Sequence, residues 1–260
     1  MRRVFAFLNT RLKRAALEMQ EYLYLTGATL RGFATPPFYR HDIIEQFDLI
    51  GIGTLTVVVL VGFFTGAALA SQTGVTLDQF GARPVVGRLV SVTIIKELGP
   101  VMTALMLNGR IGSGIAAELG SMVVTDQINA LRSLGTDPIR KLVIPRVLAG
   151  LLMAPALTVI SDFVAVFGGW VVARFQLQVA SGLYWSSVTQ ALFMADVQQG
   201  LIKPFVFGFT VTSIACYVGL RTTGGTQGVG RATTTAVVVG SVAIIALDFF
   251  VTQVLWKLLY

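Results

Sequence analysis

The stretch between Asp48 and Asp78 contains no charged residue and is almost entirely apolar. Four further apolar stretches follow, at about residues 89–107, 147–173, 204–220 and 236–255, and the first of the five covers about 49–70. A helix needs about 20 apolar residues to cross a bilayer. Lipid cannot satisfy free backbone N–H and C=O groups, so such segments cross as helices. The sequence therefore predicts an all-α integral membrane protein with five transmembrane helices.

Composition agrees with a membrane protein. Only 13% of the residues are charged and 54% are hydrophobic, whereas soluble domains carry about 25% charged residues. The formal net charge is +7, which in a soluble protein would suggest a nucleic-acid partner. Here the basic residues mostly flank the apolar spans, so we read them as topology signals and contacts with anionic lipid rather than with nucleic acid.

Basic residues are distributed unevenly between the two sets of loops. The segments before the first span, between the second and third, and before the fifth contain Arg2, Arg3, Arg11, Lys13, Arg14, Arg31, Arg40, Arg110, Arg132, Arg140, Lys141, Arg146, Arg221 and Arg231. The other side has Arg83, Arg88, Arg174, Lys203 and Lys257. The positive-inside rule predicts a cytoplasmic N-terminus and a C-terminus on the outer, periplasmic side.

The N-terminal segment differs from the rest of the chain. Phe5, Leu8 and Leu12 recur at helical spacing, with Arg11 and Arg14 in other sectors. This pattern favours an amphipathic helix on the membrane surface, and a helix packed against the rest of the protein is the alternative. Prolines at 36 and 37 predict a hinge. We therefore divide the chain into an interfacial helix with its hinge, residues 1–45, and a five-helix transmembrane domain, residues 46–260.

Two loop segments carry further signals. Residues 184–200 are expected to form a short external amphipathic helix, because Asp196 and Gln199 argue against a sixth span. Between the second and third spans, Gly112, Ala116 and Gly120 repeat at four-residue spacing and predict a closely packed helix face. There Thr125 is a plausible N-cap for a short helix through residue 134, either a rigid lever that docks into another protein or an ordinary loop helix.

A series of motifs resembles the MlaE (YrbE) permease family. The motifs are KELGPV at 96–101, GRIG at 109–112, AELGSM at 117–122, VTDQINAL at 124–131, PRVLA at 145–149, GVGRATT at 228–234 and LDF at 247–249. The resemblance extends from about residue 45 to the end. The sequence departs from the family pattern at four positions. Asp126 stands where the family usually has Glu, and Asn129 where it usually has Asp. Val123 and Thr235 stand at positions that are often basic in the family.

The resemblance implies the permease of an MCE-type ABC transporter in the bacterial inner membrane, which moves phospholipid or a related lipid and maintains outer-membrane lipid asymmetry. Such permeases are homodimers that work with a cytoplasmic ATPase, a periplasmic MCE-domain protein and often a STAS-domain subunit. Residues 118–134 correspond to the coupling helix of the family, which assigns ATPase contacts to Glu118, Thr125, Asp126, Gln127 and Asn129.

The chain itself contains no recognisable nucleotide site. The glycine-rich segment 224–231 lacks the Lys-Ser/Thr pair of a phosphate-binding loop, so it is read as a flexible loop. ATP and magnesium are therefore expected on the partner ATPase, and this chain is expected to need no cofactor and to catalyse no reaction. Two rivals remain: a secondary carrier, which would show repeated halves, and a lipid-modifying enzyme, which would need more than the single His41.

Charged residues inside the spans are the remaining candidates. Lys96 and Glu97 each cost about 2.5–3.5 kcal/mol at the centre of a lipid-facing helix, so both should face protein, water or a headgroup. They either form part of a polar ring along the lipid path or belong to a structural pair with Asp248 or Asp162. Lys203 and Asp248 are candidates for the same network.

Overall fold

The computed structural model describes residues 2–33, 35–36 and 39–259, with the side chains of 2–12, 14 and 15 left out of the description. Every regular element in this part of the chain is a helix: α1 (Arg2–Gly32), α2 (Arg40–Asp78), α3 (Arg83–Val124), α4 (Gln127–Ser133), α5 (Ile139–Phe175), α6 (Ser181–Ala191), α7 (Met194–Leu220) and α8 (Gly225–Leu259). The helices α2, α3, α5, α7 and α8 are long and apolar enough to cross a membrane, as predicted.

The spanning helices are longer than the apolar stretches that revealed them. Helix α3 continues to Val124, through a segment that the sequence analysis assigned to a loop. Its glycines do not end it, and the backbone stays helical through π turns at Ile94–Leu98 and Asn108–Gly112. Helix α8 begins at Gly225, so the expectation of a flexible loop over 224–231 is wrong for most of that segment.

The region 184–200 also differs from the expectation. Helix α6 ends at Ala191, and Asp196 and Gln199 belong to the first turns of the span α7. Both side chains are buried against protein, which is why a span tolerates them. The Tyr184 hydroxyl of α6 donates to the carbonyl of Val166 at 2.9 Å. Burial raises the pKa of Tyr184, so the hydroxyl keeps its proton.

The most extensive packing in the bundle joins α2 to α5. The Gly62–Gly66 spacing predicted a close approach of another helix, and both glycines are buried against α5. A methyl group at Gly66 would overlap the carbonyl oxygen of Ala165. Small residues therefore let the two backbones touch, and dispersion contacts rather than the hydrophobic effect hold such pairs together in lipid.

A second close approach joins α3 to α7. The predicted small-residue face of α3 is buried, and a Cβ at Gly219 of α7 would lie 3.2 Å from the Cα of Ala116. Together the two approaches explain how α5 and α7 pack between α2 and α3 with little room for side chains. Helix α8 is the least buried of the spans, with 17% of its most apolar window covered by the rest of the described chain.

Helix α1 crosses the end of the bundle where α4 lies. The Tyr22 hydroxyl lies 2.8 Å from the Ser213 hydroxyl, and the Tyr217 hydroxyl donates to the Glu18 carbonyl at 3.0 Å. The opposite face exposes Leu17, Met19, Leu23, Tyr24 and Leu30. Packing against the bundle, one of the two alternatives, is thus observed for this half. The apolar stripe of Phe5, Leu8 and Leu12 lies outside the described side chains, and its membrane-surface role stays a prediction.

The helical backbone is interrupted between α1 and α2, where the hinge was predicted. Residue 37, one of the two prolines, lies outside the described residues. Helix α2 then begins at Arg40, so the boundary at 45 and 46 falls within a continuous helix. The Arg140 side chain donates to the Pro36 carbonyl at 2.7 Å, and Lys141 pairs with Asp42 at 3.1 Å. These two contacts attach the segment between α1 and α2, together with the first turn of α2, to the first turn of α5.

We expect Gly66→Ala to cost about 1–3 kcal/mol, because the added methyl group separates α2 from α5. Gly114→Ala is the matched control, since no atom lies within 4 Å of a Cβ there, and it should gain about 0.5–1 kcal/mol of helix stability. Thermal unfolding in one detergent compares the two variants. Equal stability of Gly66→Ala and the wild type would contradict the α2–α5 contact.

Candidate functional site

Five charged residues inside the spans form one ion network: Lys96, Glu97, Asp196, Lys203 and Asp248. The π turn at Ile94–Leu98 carries Lys96 and Glu97 on α3. Lys96 pairs with Asp196 at the start of α7, with 2.8 Å between Nζ and Oδ1. Glu97 pairs with Lys203, and Lys203 pairs with Asp248 of α8 at 2.9 Å. Three spanning helices, α3, α7 and α8, are therefore joined by charge.

Lys203 is the centre of the network. Its side chain is fully buried, and its ammonium contacts Glu97, Asp248 and the carbonyl oxygen of Lys96, the last at 3.0 Å. Glu97 and the Lys96 carbonyl accept hydrogen bonds from it, and Asp248 lies at ion-pair distance, so its charge is compensated by two carboxylates. Such compensation allows a cation to remain in an apolar bundle, because an unpaired one would be very costly there.

Two further contacts extend the network. The Gln199 amide donates to Glu97 at 3.4 Å, and the Lys96 ammonium lies 5.8 Å from the ring centroid of Trp256 on α8. Asp196 also accepts the backbone N–H of Phe193 at 3.1 Å, which anchors it at the first turn of α7. Each carboxylate of the network therefore forms an ion pair with a lysine. Among the described residues, no group of three or more His, Cys, Asp or Glu side chains could hold a metal ion.

The network has one partly open side. The exposed fraction is 39% for the Glu97 side chain, 22% for Asp248 and 18% for Lys96, against zero for Lys203. The outward side therefore carries a carboxylate more accessible than its lysine partner. A polar molecule that approaches α3 and α8 from outside this chain would meet Glu97 first.

The structure brings together Lys96, Glu97, Lys203 and Asp248, as the sequence analysis grouped them. The predicted pair of Lys96 or Glu97 with Asp162 does not form, whereas the predicted link to Asp248 forms through Lys203. Sequence reasoning missed Asp196. The signal was its seven-residue separation from Lys203, which places both on one face of a helix.

The short helix α4 lies at the other end of the bundle. It was predicted to start at an N-cap Thr125, which is wrong: Thr125 ends the preceding helix, and its hydroxyl donates to the Ser121 carbonyl at 2.9 Å. Asp126 is the N-cap residue, with a left-handed φ of 59°. Asn129 donates to the Asp126 carboxylate at 3.0 Å, which stabilises this sharp turn.

Glu118 occupies a different place from the one expected for a coupling helix. It belongs to α3, and its carboxylate pairs with Arg146 of α5 at 2.6 Å. Arg146 is 5% exposed and also donates to the Leu142 carbonyl at 2.6 Å. Glu118 thus compensates a buried guanidinium of its own chain, although half of its side chain remains exposed.

Helix α4 itself is anchored on one side and open on the other. Ile128 is buried in the main hydrophobic cluster. Thr125, Asp126, Gln127 and Asn129 are exposed. Leu134, at the end of the helix, is 79% exposed. Helix α4 is therefore held against the bundle by Ile128, and it exposes polar groups and one apolar side chain on its other side.

Comparisons with known proteins agree on one family. The family model described as Permease MlaE matches residues 43–254. A probable ABC transporter permease protein of Rickettsia conorii is 39% identical, over 95% of each chain, and one of Synechocystis is 37% identical, over 90% of this chain and 89% of the relative. The intermembrane phospholipid transport system permease protein MlaE of Haemophilus influenzae is 34% identical, over 82% of each.

We expect Lys203→Met to reduce stability by roughly 3 kcal/mol, because Glu97 and Asp248 lose the cation that compensates them. The effect should lie at the lower end of the range for broken buried pairs, since Glu97 is partly exposed. Thermal unfolding of the purified protein measures it.

Lys257→Met, at an exposed position of α8, is the matched control and should be close to neutral. The double variant Lys203→Met with Asp248→Asn should recover part of the loss, because one unpaired charge is then removed. A fully stable Lys203→Met variant would contradict the central position of this lysine.

Proposed function

Since the chain belongs to the MlaE permease family, we propose that it is the membrane-spanning subunit of an ABC transporter that moves phospholipid or a related lipid between the inner membrane and a periplasmic partner. The observation that carries the proposal is the match of the family model to residues 43–254, together with the phospholipid-transport name of the Haemophilus relative. The protein is a multi-pass membrane protein.

In this proposal, a separate cytoplasmic ATPase binds ATP and magnesium and docks on α4. The attachment of α4 to the bundle through Ile128 and its exposed polar side chains support the docking, because a loop without such an attachment would not transmit force to the spanning helices. The excess of arginine on the α4 side of the membrane supports a cytoplasmic position for α4 and the N-terminus, and a periplasmic C-terminus. Glu118 then acts through its pair with Arg146, by keeping the end of α3 fixed against α5.

The ion network is proposed to line the lipid path. Lys96 and Glu97 lie on its partly open side, where an anionic headgroup can reach the ammonium and where Glu97 can repel or release it. The buried Lys203 and Asp248 hold this pair in place. The network therefore combines the two alternatives of the sequence analysis: a structural core and a polar outer edge.

We propose the remaining partners on the basis of the family resemblance. They are a second copy of the permease, a periplasmic MCE-domain protein and, as often in such systems, a STAS-domain subunit. The exposed apolar face of α8 supports the dimer, because Val238, Val242, Ile245 and Phe249 are 56–64% exposed in the single chain. A second copy placed against α8 would enclose Glu97 and Asp248 between the two subunits.

The first test concerns docking. Leu134→Asp places a charge in the proposed contact, and Asp126→Asn removes a charge while it keeps a residue type that tolerates left-handed φ. Each variant should weaken binding of the ATPase subunit by roughly tenfold, the loss expected when a central contact of an interface is removed. Pull-down of the ATPase with the purified permease measures this.

Leu258→Asp is the matched control for docking, because Leu258 is 73% exposed and lies at the other end of the bundle. It should bind the ATPase normally. Normal ATPase binding by both Leu134→Asp and Asp126→Asn would remove the docking role of α4, and with it the proposed orientation of the chain.

The second test concerns the lipid path. A photo-crosslinking amino acid at position 97 should capture lipid in an amount that changes with ATP, whereas one at Leu60, 54% exposed on α2, should capture bulk lipid independently of ATP. Glu97→Gln preserves the size of the side chain and one acceptor oxygen for Lys203 while it removes the charge, so it should lower lipid transport severalfold in the assembled complex. Capture of protein alone at position 97, together with normal transport by Glu97→Gln, would refute the path.

A further inference from the structure

Asp162 is a charged residue of the spans that the ion network does not use. It lies on α5, and its Oδ1 rests against the backbone of Gly99 on α3, since a methyl group at Gly99 would overlap this oxygen. Oδ1 is buried, and none of the described residues forms a hydrogen bond with it. A carboxyl in a spanning segment without a partner is costly, and such residues commonly mark a binding site or a transfer path.

The Asp162 side chain faces an open crevice. The crevice, here called the Asp162 crevice, has a volume of about 280 Å³ and lies between α5, α6, α7 and the π turn of α3. Apart from Asp162 its walls are apolar and include Ile95, Val159, Phe163, Trp185 and Val197. Phe163 is 69% exposed and Val159 is 54% exposed, so the crevice opens sideways on the surface that faces the bilayer.

The lining defines the chemistry of an occupant. Apolar walls accept an alkyl chain, and the volume is at the lower limit of ligand pockets, which hold about 300–1,000 Å³, so it suits one chain rather than two. A carboxyl with spare acceptor capacity calls for a hydrogen-bond donor on the ligand. The indole of Trp185, in the same lining, offers an aromatic face, which attracts cations.

We propose that the Asp162 crevice binds a single-chain amphiphile with an ammonium head, whose chain lies along the apolar walls and whose head donates to Asp162. The crevice shares no residue with the ion network. It opens beside Phe163 and Val159 of α5, on the lateral surface of the bundle. The site is therefore separate from the proposed lipid path, and the inference does not depend on the proposed transport function.

Photolabelling of the full-length chain in phosphatidylcholine vesicles tests the site. The probes are dodecylamine with a diazirine in its chain and two analogues of equal length, one with a hydroxyl and one with a methyl-ester head. The amine should label peptides that contain Phe163 or Trp185 about tenfold more than the ester, because a charged hydrogen bond to a carboxyl is lost in the ester. The alcohol should fall between the two.

Three variants give the assay its controls. Asp162→Leu should reduce amine labelling to the level of the ester. Asp48→Leu, which removes a carboxyl from a different apolar crevice beside Ile44 and Met153, should leave amine labelling unchanged. Val197→Trp fills the crevice from its rim, where Val197 is 43% exposed, and should lower labelling by all three probes.

Equal labelling by amine and ester would mean that bilayer acyl chains fill the crevice without recognition of a head, and it would overturn the proposal. Unchanged amine labelling in Asp162→Leu would do the same. If Asp162→Leu does not fold, Val197→Trp retains the carboxyl and decides the matter, since persistent labelling there would place the probe elsewhere.

Discussion

The arrangement of the half of the bundle that lies away from α4 depends on the contacts of the Lys203 ammonium. The ammonium is fully buried, and its partners come from α3 and α8, so it fixes the relative positions of three helices. Lipid supplies no hydrophobic force between helices, and close packing must be supplemented by polar contacts. At the α2–α5 contact, glycines allow the required approach. At the α3–α7–α8 contact, a satisfied cation has the same role and restricts the helices to one register.

The sequence was sufficient for the architecture but not for the details of the site. Hydropathy identified the five spans, because an apolar run of about 20 residues with little charge is typical of a helix that crosses a bilayer. It could not locate their ends, since α3 continues through Gly109, Gly112 and Gly114, residues that weaken helices in water but are frequent in helices that span membranes. Asp196 was misread for a related reason: polarity argues against a span only if the side chain faces lipid, and this one faces Lys96.

The two candidate regions lie on one continuous element. Helix α3 carries Lys96 and Glu97 near one end and leads directly to α4 at the other. The pair of Glu118 and Arg146 fixes the lower end of α3 to α5, so a displacement at α4 would reach both helices. One π turn of α3 carries Lys96 and Glu97, and a second, at Asn108–Gly112, lies between the network and α4. Such turns are often found at functional sites of helices.

The docking of α1 constrains the order in which the helices can assemble. Tyr22 contacts Ser213, and the carbonyl of Glu18 accepts from Tyr217, so two hydrogen bonds of α1 have partners that lie 191 and 199 residues later in the chain, on α7. Helix α1 also contacts α5, which is translated before α7. The packing of α1 on the bundle can therefore start when α5 is present, and it is completed only after α7 has been translated.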